Sequence, residues 1–179
     1  MNRLQLAHIL RAACQITGDP NVLIIGSQSI LGTYDDSVLP PTVVASMEAD
    51  VAFLDDPNRL KADAVEGVLG EMSPFHDTNL VYAEGIHVDT AELPSGWRDR
   101  LVTWDLQSSA PATPWFLDPH DLVVSKLAAR REKDVEFCAA LLDADLVDLD
   151  VLDERAPQLP RSGAQVSAWL ASYRRRFGS

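Results

Sequence analysis

The chain has 179 residues, a formal charge of −12 and a hydrophobic fraction of 46%, which suits one globular domain or one domain with a small helical appendage. That charge argues against a general nucleic-acid coat protein, and no apolar stretch approaches the roughly 20 residues that span a bilayer. Residues 4–16 are interrupted by Gln5, His8, Arg11 and Gln15, as in an amphipathic helix and unlike a secretory signal. Cys14 and Cys138 lie in apolar helical contexts and read as reduced core residues of a cytoplasmic protein. The cations gather around Arg98 and Arg100, at 130–133 and at 174–176, and six carboxylates crowd 143–154.

Leu6, Ile9, Leu10, Ala13 and Cys14 recur at helical spacing, and Gly18, Asp19 and Pro20 stop that helix. The apolar run 22–25 predicts a central strand, 28–31 a short helix, 32–45 a loop and 48–54 the next strand. Asp56 and Pro57 predict a helix to about residue 71 with Leu60, Ala64, Val65, Val68 and Leu69 buried. Strands at 79–83 and 86–90 around Glu84-Gly85 predict a hairpin. Further strands are expected at 100–104 and 114–117. Asp118 as N-cap and Pro119 as first helical residue open a long helix, and helices at 147–154 and 162–176 finish the chain. The expected organisation is an α/β core over 1–117, then a helical part over 118–179 carrying Lys126, together one compact unit.

Glu48 and Asp50 stand two apart at the start of a strand, so their side chains share a face and can converge on one divalent cation. An all-oxygen pair of this kind serves Mg²⁺, which keeps waters for substrate phosphates. The Gly26-Ser27 turn at the end of the preceding strand offers backbone N–H groups to phosphate oxygens. A two-metal site wants a third carboxylate, for which Asp89 is the first choice, Asp105 the second, with Asp134 a further option. On the long helix, Lys126, Arg130, Lys133 and Asp134 fall on one polar face. A lysine there can meet the β and γ phosphates, held by an ion pair with Asp134. The plainer reading of that face is a salt-bridged, solvated surface. The four histidines lack zinc-ligand spacing, and the G-x-S-x-G, P-loop and G-x-G-x-x-G patterns are absent.

Gly26-Ser27, the Glu48-Ala49-Asp50 triplet, the phrase from Pro119 to Leu127 and the run from Lys126 to Asp134 resemble the DUF6036-type nucleotidyltransferase-like proteins, which are similar to the AbiEii and MenT toxins of toxin–antitoxin systems. The resemblance covers roughly residues 22–142. It implies a polymerase-β-like nucleotidyltransferase fold, with a small mixed sheet flanked by helices and a C-terminal helical part. It also implies an enzyme that uses an NTP and Mg²⁺ to transfer a nucleotide, in the MenT group to the 3′ end of tRNA. By position, Gly26, Ser27, Lys126 and Arg130 would bind nucleotide, Glu48 and Asp50 would hold metal beside Asp89, and Lys126 and Asp134 would join the catalytic set. Ser46 occupies a place where such toxins carry a hydroxyl that an antitoxin kinase can phosphorylate. Glu48 stands where these proteins more often carry Asp, and the gap from Ser27 to Glu48 requires 32–45 to loop out. The alternatives are a catalytically silent nucleotide- or partner-binding module of the same fold, and an interaction protein whose acidic 143–154 segment meets a basic partner.

Overall fold

A computed structural model describes residues 1–177. Helix α1 (Arg3–Thr17) starts at a capping box formed by Asn2 and Gln5, ends at Gly18 in the left-handed conformation, and buries Leu6, Ala7, Ile9, Leu10, Ala13 and Cys14. Strand β1 (Asn21–Ile24) follows, then a 3-10 turn over Ser27–Gly32 and the irregular stretch 33–47. Next come β2 (Glu48–Ala52), helices α2 (Leu60–Leu69) and α3 (Pro74–Asn79), and β3 (Tyr82–Gly85). Strand β4 (Thr113–Phe116) leads into α4 (Pro119–Ala129), α5 (Glu132–Asp143), α6 (Leu149–Arg155) and α7 (Gly163–Phe177).

The four strands form one mixed sheet in the order β3-β2-β1-β4. β1 runs antiparallel to β2 and parallel to β4, while β2 and β3 are parallel. One buried cluster joins α1 and the sheet to Leu122, Val123 and Val124 of α4 and Leu141 of α5. The expected mixed sheet flanked by helices, with a helical C-terminal part, is therefore the observed architecture. Both cysteines are free and buried, and no helix among the described residues is long and apolar enough to cross a membrane.

Four local expectations change. The hairpin around Glu84-Gly85 does not form: those residues belong to β3, which pairs parallel with β2, and parallel strands need a crossover instead of a tight turn. The crossover is α2 and α3. Gly85 is required by packing, because a Cβ there would overlap the Ala62 carbonyl of α2. The strand at 100–104 reduces to a single antiparallel bridge between Val102 and Phe116, after a 3-10 turn over Trp97–Arg100.

Helix α2 begins later than expected, at Leu60, and Asp56 caps it from outside by accepting the N–H groups of Lys61 and Ala62. Its buried face is Ala62, Val65 and Leu69, and Leu60, Ala64 and Val68 are exposed. The long helix breaks at Arg130, which adopts φ 59° between α4 and α5. Nothing in its residue type announces this break, since the left-handed region favours Gly or Asn.

Candidate active site

The strand period and the parallel register build the acidic wall. Glu48 and Asp50 project from one face of β2, and across the ladder Tyr82 is the partner of Glu48 and Glu84 the partner of Asp50. Two rungs thus place three carboxylates and a phenol on one face. One ligand oxygen each from Glu48, Asp50 and Glu84 lies within 4.8 Å of the others. The Tyr82 hydroxyl donates to Glu48 Oε2 at 3.0 Å. Burial and the neighbouring Glu48 charge push Asp50 up to about 6, although Lys126 pulls it back. Burial and the neighbouring Glu48 carboxylate likewise raise Glu84.

Gly26 ends the run after β1 and sits against Asp50, where a Cβ would overlap the carboxylate. The Ile25 N–H donates to the Asp50 carbonyl at 3.2 Å, so the turn is pinned to the strand that carries the acids. Ser27 opens the 3-10 turn and lines the cleft beside Gly26. Ser46 Oγ accepts the Glu48 N–H at 3.1 Å at the cleft margin.

The opposite wall comes from the α4–α5 corner. Because the helix turns at Arg130, Asp134 comes back onto Lys126, and Lys126 Nζ donates to Asp134 Oδ1 at 2.8 Å. On one straight helix an eight-residue separation would hold the two about 12 Å apart along the axis, so the expected ion pair forms by a different route. Arg131 Nε donates to Asp134 Oδ2 at 2.6 Å. Burial acts to raise Asp134, but the hydrogen bonds from Arg131 and Lys126 outweigh it and hold the carboxyl below its ordinary value. Lys126 Nζ also rests 4.7 Å from the centroid of Phe137. The two walls enclose a cleft of about 580 Å³, along which Lys133 and Arg161 add exposed cations.

The structure thus brings together Gly26, Ser27, Ser46, Glu48, Asp50, Lys126 and Asp134, all lining one cleft. Two expected members lie elsewhere. Asp89 belongs to a 3-10 turn over Val88–Thr90, pairs with His87 and is 88% exposed, because the hairpin that would have carried it inward does not exist. Arg130 is the exposed corner residue and Arg131 takes its place at the cleft. Asp105 is also exposed, outside the acid cluster. Arg100 is engaged by the buried Asp121, with contacts of 2.8 and 3.0 Å, and so is not a free cation for backbone phosphates. The residue missed in the sequence is Glu84. Its signal was the alternation of Tyr82 and Glu84 with Val81, Ala83 and Gly85, a second copy of the pattern that exposed Glu48 and Asp50.

No curated protein and no solved structure matches the chain. The family model described as "Nucleotidyltransferase of unknown function (DUF6036)" matches residues 4–169, nearly the whole length, and includes both walls of the cleft. With its two-strand acid cluster opposite a buried lysine, the chain belongs to the DUF6036 family of nucleotidyltransferases.

Proposed function

We propose that the protein is a Mg²⁺-dependent nucleotidyltransferase that moves a nucleotide from an NTP to an RNA acceptor, the 3′ end of a tRNA, and that it works in the cytoplasm as the toxin of a toxin–antitoxin pair. The observation that carries the transfer reading is the opposition, in one cleft, of the Glu48–Asp50–Glu84 cluster and the Lys126–Asp134–Arg131 cluster.

The donor set suits a hard divalent cation: three carboxylates and no sulfur or imidazole, with ligand atoms close enough to share one ion. Glu48, Asp50 and Glu84 would hold it, and once bound it supplies Lewis-acid stabilisation of phosphoryl oxygens and of the attacking oxygen. The chain's own groups bind and orient. Lys126 places a point charge where negative charge grows on the phosphates, Asp134 fixes that ammonium, and Arg131 adds a forked donor at the cleft mouth. Gly26 lets the Asp50 carboxylate lie flat against the chain beside Ser27. The acceptor oxygen attacks the α-phosphorus in line, the bond to the β-phosphate breaks, and pyrophosphate departs with the bonding electrons while the hydroxyl proton passes to solvent.

The RNA acceptor and the toxin role rest on the resemblance to AbiEii and MenT proteins, supported by the exposed Lys133 along the cleft, beside Arg131 and Arg161, which also pair with Asp134 and Glu92. A phosphate placed on Ser46 by a cognate antitoxin would add about −1.5 to −2 charges next to the acid cluster and repel an incoming triphosphate. Mass spectrometry after co-expression with the neighbouring gene would find Ser46 phosphorylated, and an unmodified Ser46 would remove that part of the reading.

The deciding experiment incubates the protein with each α-labelled NTP, Mg²⁺ and total tRNA, alongside Asp50→Ala. Label transferred by the wild type and absent from the variant is the expected result. Absence of transfer to any tRNA from all four NTPs would leave another acceptor or a silent fold, and a melting shift on adding NTP would then show that the pocket still binds nucleotide.

A further inference from the structure

Glu48 has one more rotatable bond than Asp50 between backbone and carboxylate, so the strand alone directs it less firmly. Its neighbours make this worse, because Asp50 and Glu84 are both acids and a free Glu48 would swing away from them. We infer that Tyr82 is the positioning residue of this cluster: its hydroxyl donates to Glu48 Oε2 and keeps that carboxylate turned toward Asp50 and Glu84. The inference rests on the reading of those three acids as a divalent-cation site.

Tyr82 is built for that task from below. Its main chain is anchored by its own N–H, which donates to the Met47 carbonyl at 3.0 Å at the start of the β2–β3 ladder. The ring packs against His76 of α3 with centroids 4.8 Å apart. His76 is itself fixed twice: its Nδ1 accepts the Met72 N–H at 3.0 Å, and its main-chain N–H donates to Ser73 Oγ at 3.1 Å. Both ends of α3 are turned by non-glycine residues in the left-handed region, Met72 at φ 63° and Leu80 at φ 57°. Such conformations persist only where the surroundings hold them. Helix α3 lies beside β3, and the contact it delivers to the site is the His76–Tyr82–Glu48 series. A phenol is a hydrogen-bond donor at neutral pH, and the Tyr82 hydroxyl makes that bond to Glu48 at 3.0 Å. As a register partner of Glu48 it reaches the carboxylate from the neighbouring strand without occupying the space between the three acids.

Metal ligands lose roughly 10- to 100-fold in affinity when the group that orients them is removed. The test is Mn²⁺ binding, followed by the electron paramagnetic resonance of free Mn²⁺ at pH 7.5. It compares the wild type, Tyr82→Phe, Glu48→Asp, the double variant Glu48→Asp/Tyr82→Phe, and Asp50→Asn. Tyr82→Phe should bind Mn²⁺ about tenfold more weakly while its metal-free melting temperature stays within about 3 °C of wild type. Glu48→Asp is one methylene shorter and out of reach of the hydroxyl, so adding Tyr82→Phe to it should change nothing. Undiminished Mn²⁺ binding by Tyr82→Phe would overturn the inference. So would an equal loss in both backgrounds, which is what a merely destabilised strand would produce. If Asp50→Asn binds Mn²⁺ as well as the wild type, the cation reading itself fails and the role of Tyr82 falls with it.

Discussion

Asp50 and Asp134 line the same cleft, and burial pushes both carboxyls in the same direction, yet they end on opposite sides of the ordinary value. Asp134 is only 1% exposed and still lies low, because Lys126 and Arg131 both donate to it. Asp50 lies high, at about 6, because burial and then the neighbouring Glu48 charge outweigh the pull of Lys126. Burial raises both, and the donors that answer it at Asp134 but not at Asp50 set the two carboxyls apart. One wall of the cleft is electrostatically satisfied by the protein. The other is frustrated, and a divalent ion would relieve it.

The strongest way to break this contrast is Asp50→Asn. Nucleotidyl transfer should fall on the order of 10³-fold, measured as label incorporated from an α-labelled NTP. The metal-free variant should melt no lower than the wild type at pH 7, because a mutual repulsion has been removed. The sign follows from linkage. Asp50 is raised in the folded state, so the folded chain binds more protons than the unfolded one between about pH 4 and about 6, and stability drops as pH rises through that window. Melting curves across it should show the decline in the wild type and a weaker one in Asp50→Asn. Divalent metal should reverse the trend, since its affinity climbs as Asp50 loses its proton.

Gly26→Ala should act on the same wall without removing a charge. The added methyl displaces the Asp50 carboxylate, and transfer should fall by about 10²-fold with Mn²⁺ binding weakened in parallel. A variant that retained full transfer would show that the acid cluster tolerates being moved. On the satisfied wall the outcome reverses in kind. Asp134→Asn takes from the buried Lys126 its hydrogen-bonded counter-charge and should destabilise the fold by about 3 kcal/mol, read from denaturant melts. The lowered pKa of Asp134 stabilises the protein at neutral pH, and that contribution is lost as pH falls through the folded value. The smallest effect belongs to Asp89→Ala, which should change transfer less than about twofold, because an exposed carboxylate outside the cluster contributes little. A large loss there would return Asp89 to the site and unseat Glu84.

The legible parts of the molecule were those with short-range causes. Asp118 and Pro119 begin α4 as expected because N-capping is decided within one turn: Asp118 accepts the His120 N–H at 2.9 Å. Helix α1 ends at Gly18 for a similarly local reason. Misread segments are those where distant contacts overruled a local signal. Glu84-Gly85 has the composition of a tight turn, but Gly85 answers to the Ala62 carbonyl of α2. Leu60 and Val68 look like core residues on a helical wheel, yet α2 docks through Ala62, Val65 and Leu69 instead.

The candidate site divides in the same way. The sequence by itself determined that Glu48 and Asp50 share a face, because the two-residue period of a strand is a property of the backbone. It also determined that Gly26 and Ser27 follow β1 and that Lys126 lies on the helix opened by Asp118. Tertiary structure decided the rest. Tyr82 reaches Glu48 across 34 positions of chain, and Glu84 meets Asp50 on the next rung, only because β2 and β3 pair in parallel in one register. That register is set by the packing of the α2–α3 crossover, which no local pattern encodes. Asp134 reaches Lys126 because Arg130 turns left-handed, at a cost that its own residue type does not favour and that the packing of α5 against α4 must sustain.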